Sequence, residues 1–214
     1  IVSSMGIILL CLLRTPLRWS GAAVLTLSVV WALAVPQPDV LISGDGHNVG
    51  VRGQDGRLHL MRTGKDAFLI KEWLAADADP RGPTDPSLAE GVSCDDAGCV
   101  VQMAGGGFVA LALKPEALAD DCERAALVVT ARQAPTSCRS VVVAGEKLRG
   151  QGGMALWRAR DGYAVAAIRP KAVDRPWSPA LASSPDSEPV LAPRSATARS
   201  VDATPAEADQ QVED

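Results

Sequence analysis

An uncharged apolar run extends from Trp19 to Val35 (WSGAAVLTLSVVWALAV), behind Arg14 and Arg18. As a helix it would reach about 25 Å, the lower edge of a membrane span. Trp19 and Trp31 lie near its ends, where indoles favour the membrane interface. No basic residue follows directly; Pro36, Gln37, Pro38 and Asp39 come next. The positive-inside rule then predicts a span running outward, with everything after Pro36 outside the cytoplasm. A cleaved signal peptide is a second reading, from Met5 to an A-x-A site at Ala32-Leu33-Ala34. A buried core helix is the third. A second apolar block, Met5 to Leu13, argues against an ordinary signal peptide. Together with the opening Ile1, it suggests the end of one span, an RTPLR turn and a last span. Residues 1–37 are therefore expected to be membrane segments, with membrane lipid as a partner.

Beyond Pro38 the period changes to that of strands. Val40-Leu41-Ile42, Val49 to Arg52 and the alternating Arg57 to Arg62 read as three strands joined by Asp45-Gly46 and Gly53 to Gly56 turns. Asp66 can cap a helix to about Ala76, with Ala67, Leu69, Ile70, Trp73 and Leu74 on one arc. Asp77 to Pro86 is a Pro- and Asp-rich loop. Gly91 to Cys94 and Cys99 to Met103 flank a turn, and Phe108 to Leu113 follows a triple glycine as another strand. Pro115 suits the first position of a helix to about Arg124. Ala126 to Thr130 and Cys138 to Val143 are apolar strands, and Glu146 to Gly150 is a short helix or turn. Met154 to Arg158 and Tyr163 to Ile168 close a hairpin on Asp161-Gly162. The expected fold is α+β (or α/β) over residues 38–177. From Pro170 the chain turns rich in Pro, Ser, Ala and acids, and residues 178–214 are expected to be a disordered tail.

Charge divides this domain. The net charge of −4 hides a segment of −8 from Asp39 to Glu123 and one of +7 from Arg124 to Arg175. The plainer reading is a dipolar domain whose halves attract. The sharper one gathers Arg132, Arg139, Lys147, Arg149, Arg158 and Arg160 on one DNA-facing surface, with Trp157 and Tyr163 as the candidates for base stacking. Four cysteines, Cys94, Cys99, Cys122 and Cys138, follow the apolar start, which itself holds Cys11. An even number suits an oxidising compartment. Of three possible pairings, sequence neighbours suggest Cys94–Cys99 and Cys122–Cys138. A four-cysteine zinc site is the alternative, but the C-x4-C…C-x15-C spacing matches no familiar knuckle.

Catalytic chemistry has little support. The two histidines, His47 and His59, belong to no H-x-H-x-D-H or H-E-x-x-H motif. No G-x-S-x-G elbow is present, and Gly105-Gly106-Gly107 lacks the Lys-Ser/Thr of a phosphate loop. Asp45, Asp55, Asp95 and Asp96 are explained as turn residues. No cofactor is implied.

The chain carries PQPDVLIS at 36–43, GDGHNVGVRGQDGRLHLMR at 44–62 and DAFLIKEWLAADADPR at 66–81, and then SLAEGVSCDDAGCVV, DCERAALVVTARQAP, SVVVAGEKLRGQGGMALW and RPWSPA at 175–180. This order of segments resembles the C-terminal part of ComEC-family competence proteins. The resemblance implies a polytopic protein of the bacterial inner membrane that passes single-stranded DNA during transformation. It implies a C-terminal metallo-β-lactamase-like domain, with the rest of the channel and single-stranded DNA as partners. Val40 to Arg62 resembles the opening strands of that fold, and Ala126 to Arg158 its second half. The family's metal-binding histidine motif has no counterpart here, so no ligand carries over. A degenerate, non-catalytic accessory domain is the expectation. An exported, disulfide-stapled binding domain unrelated to DNA uptake is the alternative.

Overall fold

A computed structural model describes residues 2–62, 66–169 and 190–191. The chain separates into two units, Ile1–Gln37 and Pro38–Asp214.

In the first unit, α1 (Val2–Leu12) and α2 (Arg18–Ala34) form a helical hairpin. Gly6 and Gly21 are the buried residues of the two helices. A Cβ on Gly21 would come within 2.7 Å of the Gly6 carbonyl oxygen, so this close crossing needs glycine. The expectation of a membrane span is corrected here: among the described residues no helix is long and apolar enough to cross a membrane. The reason lies at the helix ends. Arg18 is inside α2, and Val35 turns the chain extended ahead of Pro36, leaving 17 residues. Such a helix reaches about 25 Å, short of a hydrocarbon core of about 30 Å. Ser20, Thr26 and Ser28 further dilute its apolar character.

The second unit is an α+β domain built on two facing sheets. The strands of one are β1 (Val40–Ile42), β2 (Asn48–Arg52), β3 (Leu58–Arg62), β9 (Met154–Ala159), β10 (Gly162–Ala167) and β11 (Val190–Leu191). They lie in the order β11-β10-β9-β1-β2-β3 and are antiparallel throughout. The other sheet holds β4 (Val92–Cys94), β5 (Gly98–Gln102), β6 (Phe108–Ala112), β7 (Leu127–Val129) and β8 (Val141–Val143), in the order β4-β5-β6-β7-β8. Here β4, β5 and β6 are antiparallel, and β6, β7 and β8 are parallel. A parallel pair needs a crossover, and α4 (Pro115–Arg124) supplies it between β6 and β7.

The core between the sheets follows from strand periodicity. Val40, Ile42, Val49, Val51 and Leu156 point inward from the first sheet, and Val109, Leu111, Leu127, Val129 and Val143 from the second. The outer faces are covered separately. α3 (Ala67–Ala76) and a 3-10 turn (Pro86–Ala89) lay Ile70, Leu74 and Leu88 on Leu60. α4 lays Leu118 on Ala110, Ala112 and Val128. The layers therefore run helix, sheet, sheet, helix.

Local signals place the covering helices. The Asp66 carboxylate accepts from the Leu69 N–H at 3.0 Å, as an N-cap should. Pro115 opens α4. Two expectations need correction. Val190 and Leu191 pair with Ala164 and Tyr163, so a piece of the supposed disordered tail is an edge strand. The rest of 178–214 lies outside the described residues. The strand expected from Cys138 begins only at Val141. Before it, Cys138 is bonded to α4 and Ser140 donates to α4's last carbonyls, which holds this stretch off the sheet.

Candidate functional site

Both neighbouring cysteine pairs are disulfides. Cys94 and Cys99 sit opposite one another on β4 and β5, with Cα atoms 4.0 Å apart. Cys122 and Cys138 join α4 to the approach to β8, with Cα atoms 4.9 Å apart. These bonds consume the four thiols that zinc would have used. Among the described residues no group of three or more His, Cys, Asp or Glu is arranged to hold a metal.

The two histidines serve turns. His59 Nε2 lies 3.0 Å from Asp55 Oδ1 across the β2–β3 turn. In the β1–β2 turn the Asp45 carboxylate accepts from the Ser43 hydroxyl and from the His47 N–H. Burial pushes the Asp45 carboxyl up, but these two hydrogen bonds and the nearby His47 outweigh it and hold it below its ordinary value.

The six basic residues do not share one face. Because β7 and β8 are parallel, the segments leaving them lie at one end of the sheet and the segments entering them lie at the other. Arg132 comes after β7, and its Nε donates to the Leu113 carbonyl at 3.2 Å. Lys147 and Arg149 lie in α5 (Gly145–Gln151), just after β8. Arg139 precedes β8 at the opposite end, where Arg158 and Arg160 line the same cavity as Arg139. The cavity measures about 360 Å³.

Three elements build this cavity. One wall is the end of α4 with Cys122, Glu123 and Ala125. Ser140 tightens that wall: its Oγ donates to the Ala125 carbonyl at 2.6 Å, with the Cys122 carbonyl next at 2.9 Å. The other wall is the β9–β10 hairpin. The floor is Tyr163, which is 3% exposed and whose hydroxyl lies 3.8 Å from Met103 Sδ. Burial pushes the Tyr163 phenol above its ordinary pKa, so it stays neutral. A side chain packed this deeply cannot stack on a base, which removes Tyr163 from that role; Trp157 is half-buried on β9.

Electrostatics distinguishes this end of the domain. Arg158 Nη1 donates to the Ala104 carbonyl at 3.1 Å and Nη2 to the Gly106 carbonyl, gripping the glycine turn between β5 and β6. Its main-chain N–H donates to Asp39 Oδ2 at 2.6 Å. Carbonyls orient a guanidinium without cancelling its charge. Arg139 and Arg160 form no ion pair with any described residue. These arginines therefore join the acidic half through Arg158's contacts with Asp39 and the glycine turn and not through ion pairs among the described residues. The acidic half pairs internally instead, as Arg52–Asp77 and Arg81–Asp79, both at 2.6 Å.

The sequence alone points to the arginines but not to Glu123 and Ser140. The available signal was the spacing of Cys122 from Cys138, whose closure brings both of their neighbours to one wall. Compared with family models, curated proteins and solved structures, the chain matches none of them.

Proposed function

We propose that the chain is the C-terminal part of a ComEC-family DNA-uptake protein, and that its α+β domain binds strand phosphates outside the cytoplasm without cutting them. The observation that carries this reading is the set of three arginines on one cavity, none in an ion pair with a described residue. Phosphate groups are the natural complement of such guanidinium forks. The helix–sheet–sheet–helix layering agrees with the lactamase-like domain that the sequence resemblance implies. Two disulfides suit an oxidising compartment. Binding is assigned in place of cleavage because the family's histidine motif has no counterpart in the chain.

Titration of the chain with single strands of mixed base composition tests this. Each neutralised phosphate adds about 0.7 to the salt slope for single strands, so three arginines give a slope no steeper than roughly −2. Raising salt from about 50 to about 200 mM should therefore weaken binding by up to about 20-fold. Little preference among base sequences is expected, since Tyr163, which lines the cavity, is packed too deeply to stack on a base. Absence of binding at the lower salt would overturn the proposal.

A further inference from the structure

The cavity at Arg139, Arg158 and Arg160 is open to solvent, and three basic residues converge on it. Arg139, Arg158 and Arg160 line it together with one acidic residue, Glu123, and the Asp39 carboxylate lies next to it, accepting from the Arg158 main-chain N–H at 2.6 Å, so three basic side chains outnumber two acidic ones. A phosphodiester in a strand carries one negative charge. A phosphomonoester carries between about 1.5 and 2 near neutral pH, because its second pKa is about 6. A monoester, with its higher charge and three unesterified oxygens, engages several guanidinium forks at once better than a diester does. Its volume of about 360 Å³ leaves room for a phosphate group. A strand passing by its backbone alone would call for an extended basic track, but the other three basic residues lie at the opposite end of the second sheet.

The parts are also arranged in advance. Arg158 is held by the Ala104 and Gly106 carbonyls, so little side-chain freedom is lost when an anion arrives. Arg139 is fixed at its base between Cys138, which is disulfide-bonded, and the buried Ser140. Tyr163 closes the floor without contributing charge.

From this we infer that the cavity is a phosphomonoester site, taking the terminal phosphate of a nucleic-acid strand. The inference rests on the DNA-binding reading and narrows it from the strand's backbone to its end. A free nucleotide or inorganic phosphate offers the same group, so the test must separate the sources.

Fluorescence anisotropy of the whole chain with short single strands does so, using ends that carry a 5′-phosphate, a 3′-phosphate or only hydroxyls. A phosphorylated end should bind about tenfold more tightly than the hydroxyl strand above pH 6, through charge-assisted hydrogen bonds. That preference should shrink below pH 6, where the monoester falls to one charge. It should vanish in Arg139→Gln/Arg160→Gln, and also in Arg139→Glu/Arg160→Glu, with each variant's melting temperature recorded to confirm folding. Equal binding of all three strands overturns the inference and leaves the DNA-binding reading standing. Tight binding of a nucleoside monophosphate or inorganic phosphate with no binding of any strand overturns the strand end as ligand, and the DNA reading with it. No binding of any probe overturns the site.

Discussion

Replacing both Cys122 and Cys138 with alanine is expected to destabilise the domain by about 3 kcal/mol, from the entropy the unfolded chain regains when a loop of this length is opened. The bond has a sequence separation of 16, against 5 for Cys94–Cys99. The second bond closes a shorter loop across a hairpin already paired by β4 and β5, so its removal should cost less. Denaturant unfolding of the two double variants measures both. The order of the two effects is the sharper part of the prediction. The Cys122–Cys138 variant should also lose affinity for single-stranded DNA, since this bond fixes the wall that carries Arg139. A cost well under 1 kcal/mol, or no effect on binding, would show that the α4 wall stands without its staple.

A comparable loss, about 3 kcal/mol, is expected for Arg81→Ala, which leaves a buried carboxylate without its partner. Arg81 and Asp79 side chains are 9% and 8% exposed. The guanidinium donates from Nε to both Asp79 oxygens, at 3.0 and 2.9 Å, and from Nη2 to Oδ2 at 2.6 Å. Nη2 also donates to the Leu58 carbonyl at 2.8 Å, and Nη1 to that of Ser87 at 3.4 Å. One side chain thus ties the Asp- and Pro-rich loop to edge strand β3 and to the 3-10 turn. The hydrogen bonds from Arg81 hold the Asp79 carboxyl below its ordinary value of 3.8. A depressed carboxylate contributes stability that is complete above its unfolded pKa and is lost as pH falls through its folded one. The gap between wild type and Arg81→Ala should therefore be full near neutrality and narrow as pH drops below about 4. Arg81→Lys keeps the charge but not the fork, and should fall between the two. A gap independent of pH would contradict the pairing as its source.

Local signals in the sequence are strong where a single residue decides the geometry. Asp66 and Pro115 start their helices as expected, and the D-G turns separate the strands of the opening meander. Nearness in the chain also suffices to pair the cysteines. Features set by distant partners escape such signals. β1 is flanked by β9, a pairing between residues more than a hundred positions apart, and no periodicity reports it. The six basic residues look like one surface because they follow one another in sequence. The parallel direction of β8 divides them, and that direction is fixed by the crossover, not by the residues themselves. The apolar run from Trp19 reads as a span because it lacks charge. The helix instead includes Arg18 and stops before Pro36, and helix ends are what hydropathy registers least well.

The division of the basic residues gives the most direct test of the functional account. Two charge-reversed chains can be compared for single-stranded DNA binding at low salt, Arg139→Glu/Arg160→Glu at the cavity and Arg132→Glu/Arg149→Glu at the other end of the sheet. Both change the net charge equally, so long-range repulsion is matched between them. The cavity variant is expected to lose nearly all binding while the other keeps most of it. Equal losses in both, or a greater loss in Arg132→Glu/Arg149→Glu, would contradict the cavity as the place where DNA binds.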